Sequence, residues 1–246
     1  MTEIIYAWNK SVFSYESEEV LGTLAPYIGM VKIGLEAITA EDDIGASVGA
    51  TVRGFVRDGM GLGVMWDAKF HDIPNTMAAA ARKVAKWSEM FTLHASAGSK
   101  AMEAVAKACE ESSALPLAVT VLTSLDDAEC QSIYGDTPGK KVVQFARMAL
   151  DSGIRGLVCS PQELIILGDA GLLSKLTTVI PCIRPVWAKN KDDQSRTMTP
   201  GEAVRAGADY LVIGRPISQP PRNIGTPAKA ARLIKAEMDA ASKRSL

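Results

Sequence analysis

Residues 117–122 read Leu117-Ala118-Val119-Thr120-Val121-Leu122. A strand with one face in water alternates apolar and polar side chains. A run that is apolar at almost every position suits a strand covered on both faces, as in a parallel sheet walled by helices. Outward from this run, short apolar segments of the same kind recur at 3–8, 28–34, 62–67, 90–94, 154–159, 178–183 and 209–214, and with 116–123 they make eight predicted strands. Between them lie stretches with helical spacing, at 75–88, 100–111, 139–152, 199–206 and 227–242. Met102, Val105, Ala106 and Cys109 mark one such apolar face; Val142, Val143, Phe145, Ala146 and Leu150 mark another. Thr199-Pro200-Gly201-Glu202 has the form of a helix start, with a threonine N-cap, proline at the first helical position and glutamate at the third.

Strands alternating with helices over 246 residues predict an α/β protein, a (β/α)8 TIM barrel, with one domain spanning residues 1–246. The length also fits two small domains, but no linker or low-complexity tract divides the chain. A doubly wound open sheet is the other architecture with this pattern, and it is disfavoured because no G-x-G-x-x-G follows the first predicted strand. The polar stretch 188–196 after the seventh strand has the composition of a ligand-contacting loop, and equally of a plain surface loop.

The balance of 27 basic and 28 acidic residues gives a net charge of −1, so no basic excess is available for a nucleic-acid backbone. A single nucleotide needs only a few local charges. The four cysteines, Cys109, Cys130, Cys159 and Cys182, form no C-x-x-C pair, and there are only two histidines, so no metal site is expected. Free thiols suit a reducing compartment. The start Met1-Thr2-Glu3-Ile4-Ile5-Tyr6 lacks a basic segment followed by an apolar core, and no apolar run reaches membrane-spanning length. A cytoplasmic protein without membrane partners is expected.

The most informative polar cluster is Trp66-Asp67-Ala68-Lys69-Phe70-His71-Asp72-Ile73-Pro74-Asn75-Thr76. Asp67 and Lys69 stand two apart at a strand's C-terminal end, so in extended chain both point to one side. In a barrel that end forms the active-site face. Lys32, at the end of the second strand, reaches the same face. An isolated D-x-K is most often a surface salt bridge. Here the motif follows an apolar strand and meets a second lysine, and alternating charges hold each other ionised.

The run from Asp67 to Thr76 is similar to the signature of the orotidine 5'-monophosphate decarboxylase family. The 3-keto-L-gulonate 6-phosphate decarboxylases share the D-x-K-x-x-D skeleton but lack the I-P-N-T continuation. Lys32-Ile33-Gly34-Leu35-Glu36, His94-Ala95-Ser96-Ala97-Gly98, Cys159-Ser160-Pro161-Gln162-Glu163, Ile183-Arg184-Pro185 and Gly214-Arg215-Pro216 resemble further family segments, in family order. The resemblance implies cofactor-free decarboxylation of orotidine 5'-monophosphate to uridine 5'-monophosphate, in de novo pyrimidine biosynthesis. It implies Lys69, Asp67, Asp72 and Lys32 as the catalytic residues. Lys69 would stabilise and then protonate the C6 carbanion. Asp67 and Asp72 would keep Lys69 charged and aimed, with Asp67 against the substrate carboxylate, and Lys32 would contact the ribose hydroxyls. Thr123, or adjacent Ser124, would hydrogen-bond the base.

For the phosphate, the loops after strands seven and eight are the usual barrel site. A glycine lets backbone N–H groups approach an anion, and an arginine fork fits phosphate oxygens. The resemblance implies Gln194, Gly214 and Arg215 there, with Arg184 nearby. It also implies a homodimer with shared active sites, in which Asp72 and Thr76 serve the partner's site. Two positions depart from the family pattern. Asn9 stands where an aspartate contacts the ribose, and Cys182 where glycine is usual. Asparagine still donates to and accepts from a hydroxyl. His71, His94 and the cysteines are read as structural. A sugar-phosphate decarboxylase on the same scaffold and a non-catalytic nucleotide-binding relative are the rival functions.

Overall fold

In a computed structural model, which describes residues 2–41, 47–188 and 197–243, eight parallel strands close into a barrel in sequence order. They are β1 (Glu3–Trp8), β2 (Met30–Ile33), β3 (Gly63–Phe70), β4 (Met90–His94), β5 (Leu115–Val119), β6 (Gly156–Val158), β7 (Thr177–Ile180) and β8 (Tyr210–Ile213). The ring is completed by β1 against β8, from Glu3 opposite Tyr210 to Tyr6 opposite Ile213. This is the predicted TIM barrel.

The apolar character of the strands has a simple cause. Along β1, Ile5 and Ala7 point into the barrel and pack with Met65, Met90, Leu117, Val179 and Val212. Ile4, Tyr6 and Trp8 point outward into the layer between barrel and helices. Every second residue is therefore buried on one side and the rest on the other, which removes the polar alternation of a half-wet strand.

The predicted helices form at Pro74–Val84, Ser99–Ala108, Pro138–Asp151, Pro200–Arg205 and Pro227–Ser242. Pro74–Val84 opens with proline in its first turn and buries Met77, Ala78, Ala81 and Val84, one stripe at helical spacing. Pro200–Arg205 starts as expected from its sequence. The Glu202 amide donates to Thr199 Oγ1 at 3.2 Å, and the Thr199 amide donates to Glu202 Oε2 at 2.8 Å. Among the described residues, six further helices, Tyr15–Leu24, Leu35–Thr39, Val48–Gly54, Asp127–Tyr134, Glu163–Asp169 and Arg215–Ser218, were not predicted.

Two strand boundaries differ from expectation in ways that shape the site. Strand β5 stops at Val119 rather than continuing to 123, because its neighbour β6 ends at Val158. The Thr120 N–H still donates to the Val158 carbonyl at 3.1 Å, and residues 121–123 lie beyond the strand. Strand β3 runs on to Phe70 rather than ending at Asp67, but through an irregularity: Trp66 pairs with Phe91 and Phe70 with Leu93. Three residues of β3, Asp67, Ala68 and Lys69, thus face the single residue Thr92 of β4.

Candidate active site

The C-terminal ends of β2 and β3 bring Lys32, Asp67 and Lys69 together. Lys69 Nζ donates to Asp67 Oδ1 at 2.8 Å, and Lys32 Nζ donates to Asp67 Oδ2 at 3.0 Å. Lys32 Nζ also donates to Asn9 Oδ1 at 3.3 Å, at the end of β1. Gly34 leaves room for this contact, since a Cβ there would lie 2.7 Å from Asn9 Oδ1 and 3.1 Å from Lys32 Nζ.

Asp67 and Lys69 do lie on one side, but not through plain two-residue alternation. Lys69 has φ +50°, in the left-handed region that side chains other than glycine rarely adopt. The bulge, rather than an extended chain, turns its ammonium back onto Asp67. Burial alone would raise the Asp67 carboxyl, but the Lys32 and Lys69 ammoniums outweigh it and hold the group at about 2. The trio carries one positive charge in excess.

That charge borders a cavity of about 180 Å³. Met65, Val119, Val158 and Val212 give it an apolar floor, and Thr123 joins its wall from the segment beyond β5. Ser124, the alternative to Thr123, is exposed and lines neither cavity described here. A second cavity, of about 240 Å³, lies beyond the Lys32–Asn9 contact and is lined by Asn9, Lys10, Gly214, Arg215 and Ser218 among others. One apolar compartment with a cationic edge and one polar compartment thus meet at Lys32 and Asn9.

The remaining expected residues sit differently. Arg184 is buried, its Nη1 donates to its own neighbour's carbonyl at Ile183 at 3.0 Å, and it lines neither cavity. Asp72 and Thr76 are exposed and line neither cavity, and Asp72 Oδ1 accepts from the Ile73 amide at 2.6 Å. Gln194 lies outside the described residues. Cys182 adopts φ +62°, which is the geometric reason a glycine would suit that position. His94 packs edge-on against His71 at 5.6 Å, and burial, helped by the charges of His71 and Lys69, lowers its tendency to protonate. Cys159 and Pro181, which also line the first cavity, were not expected there. Their position just past β6 and β7 is the only signal that marks them.

Residues 14–232 match the model of the "Orotidine 5'-phosphate decarboxylase / HUMPS family". The chain is 44% identical over 223 residues to an orotidine 5'-phosphate decarboxylase of Opitutus terrae, covering 89% of this chain and 91% of that protein. It is 41% identical over 222 residues to the Anaeromyxobacter dehalogenans protein of the same name, with the same 89% and 91% coverage. Its fold superposes on the crystal structure of orotidine 5'-phosphate decarboxylase from Lactobacillus acidophilus with a TM-score of 0.75 at 27% identity, covering 97% of this chain and 100% of that one. On this combination of barrel, charged trio and sequence similarity, the chain belongs to the orotidine 5'-phosphate decarboxylase / HUMPS family.

Proposed function

We propose that this chain, as one catalytic domain over residues 1–246, decarboxylates orotidine 5'-monophosphate to uridine 5'-monophosphate in de novo pyrimidine biosynthesis, without a cofactor. The observation that carries the reading is the Lys32–Asp67–Lys69 ion chain at the edge of an apolar cavity. The pyrimidine occupies that cavity, with Thr123 hydrogen-bonding the base. The ribose lies across Lys32 and Asn9. The phosphate takes the polar compartment at Gly214 and Arg215, with Gln194 and Arg184 from the preceding loop.

Breaking the C6–CO2 bond leaves its electron pair on C6, in the plane of the ring, where no π system accepts it. A fixed positive charge in a low-dielectric pocket stabilises that pair far better than water does. Lys69 supplies the charge and then gives C6 a proton, and the resulting amine is reprotonated from solvent. Asp67 keeps Lys69 aimed and, beside the substrate carboxylate, disfavours the reactant state.

The exposed loop Asp72-Ile73, with Thr76 following, supports a two-fold homodimer in which Asp72 and Thr76 enter the partner's site. Ile73 is 65% exposed, an apolar surface residue that such an interface would cover. Four buried free thiols suit the cytoplasm. Among the described residues no helix is long and apolar enough to cross a membrane.

The test is the loss of orotidine 5'-monophosphate absorbance on adding pure protein in excess EDTA. Turnover at the same rate with and without chelator is expected. Activity that vanishes in EDTA and returns with a divalent metal would contradict the cofactor-free reading. Turnover of sugar phosphates but not of the nucleotide would favour the rival decarboxylase.

A further inference from the structure

Thr92 lies in the middle of β4, 1% exposed, among the apolar residues Phe91 and Leu93. Its hydroxyl makes two hydrogen bonds, both into the charged trio. Thr92 Oγ1 donates to Asp67 Oδ1 at 2.9 Å, and it accepts from the Lys69 backbone N–H at 2.9 Å. It is also the one β4 residue facing the three bulged residues of β3.

We propose that Thr92 is a positioning residue for Lys69: its hydroxyl ties the Asp67 side chain to the Lys69 backbone and so locks the bulge that aims the ammonium into the cavity. This rests on the reading of Lys69 as the proton donor. The directions of the two bonds leave no alternative arrangement. An ionised carboxylate only accepts, so the Thr92 proton points at Asp67, and the oxygen lone pairs are left for the Lys69 N–H. That amide lacks a regular strand partner because the register shifts around it. The hydroxyl therefore stands in for a ladder bond at the point where the backbone takes its unfavourable left-handed turn. Without it, the part-buried Lys69 N–H loses its partner and Asp67 Oδ1 keeps only the Lys69 ammonium, and relaxation of the Lys69 backbone swings the side chain away.

Two variants test this. Thr92→Val keeps shape and volume but removes the hydroxyl; Thr92→Ser keeps the hydroxyl. Displacing a reacting group by an ångström costs up to about 100-fold, so Thr92→Val should lose about 10–100-fold in kcat. Its KM and its affinity for uridine 5'-monophosphate should stay within about threefold, because phosphate and base contacts are untouched. Thr92→Ser should recover most of the lost kcat. In a crystal structure of Thr92→Val, Lys69 should leave its positive φ and move out of reach of Asp67. A Thr92→Val enzyme with wild-type kcat would overturn the proposal. So would a Thr92→Ser enzyme as impaired as Thr92→Val, or a Thr92→Val structure retaining both the Lys69 φ and its contact to Asp67. The crystallographic arm is independent of turnover. A wild-type chain inert toward the nucleotide would defeat the decarboxylase reading alone, and the Lys69 geometry would still decide this one.

Discussion

Asp67 accepts one hydrogen bond from each of three strands: Lys32 on β2, Lys69 on β3 and Thr92 on β4. That convergence has a consequence for acid stability. Because the folded carboxyl titrates at about 2 and the ordinary value is 3.8, its charge stabilises the fold above the unfolded value, and this is lost as pH falls from about 4 towards 2. The difference in unfolding free energy between wild type and Asp67→Asn should therefore be constant at neutral pH and shrink by about 2 kcal/mol across that acid window. Urea unfolding at a series of pH values checks it, and a gap that does not change below pH 4 would show that the lysines do not hold Asp67 ionised. Asp67, Lys69 and Lys32 were legible in the sequence because the D-x-K pair follows an apolar strand, meets a second lysine at the same barrel face and resembles a family signature. Thr92 was not legible. Threonine is a common strand residue, and nothing in Met90-Phe91-Thr92-Leu93-His94 signals that this one faces a bulge in the neighbouring strand.

At the scale of elements, β1 and β4 form with the boundaries expected from their apolar runs, whereas β5 is cut short by the end of its neighbour, which no local pattern encodes. The helices that escaped prediction carry weak stripes. Tyr15–Leu24 buries only Ser17, Leu21 and Leu24, and Asp127–Tyr134 only Cys130. Glu163–Asp169 is flanked by the opposite problem: Ile165 and Ile166 are exposed, which blurs the contrast between its faces. The capping signal at Thr199 was readable because it is local chemistry. Just before it, Ile183 bridges Met198, and the Arg184 amide donates to the Met198 carbonyl at 2.8 Å. The cap thus anchors the chain where it returns to pair with the segment that follows β7. Thr199→Ala should cost about 1 kcal/mol of stability. Hydrogen exchange at the Glu202 amide should quicken by more than at amides of the distant helix Pro74–Val84. Equal acceleration at both would mean that the cap stabilises only the whole fold.

For the molecule as a whole, the proposed shared site gives a sharp expectation. Asp72 and Thr76 line neither cavity of their own chain, whereas Lys69 lines the first. Homodimers of Lys69→Ala and of Asp72→Ala should each be nearly inactive. After subunit exchange, a mixed dimer holds one intact site and one lacking both residues, so equal mixing should restore about a quarter of wild-type activity. A mixture that stays inactive, with exchange confirmed by native mass spectrometry, would place both residues in one subunit's site. The closed ring carries a different consequence, for the chain's exposure to aggregation. A complete barrel presents no free strand edge on which another chain could add. That protection depends on segments far apart in sequence, since Thr2 hydrogen-bonds to Ala208, 206 positions away, where β1 meets β8. A growing polypeptide on the ribosome therefore carries bare, strongly apolar edges until its eighth strand emerges. Aggregation through strand edges belongs to that interval of synthesis, and it ends when the ring shuts.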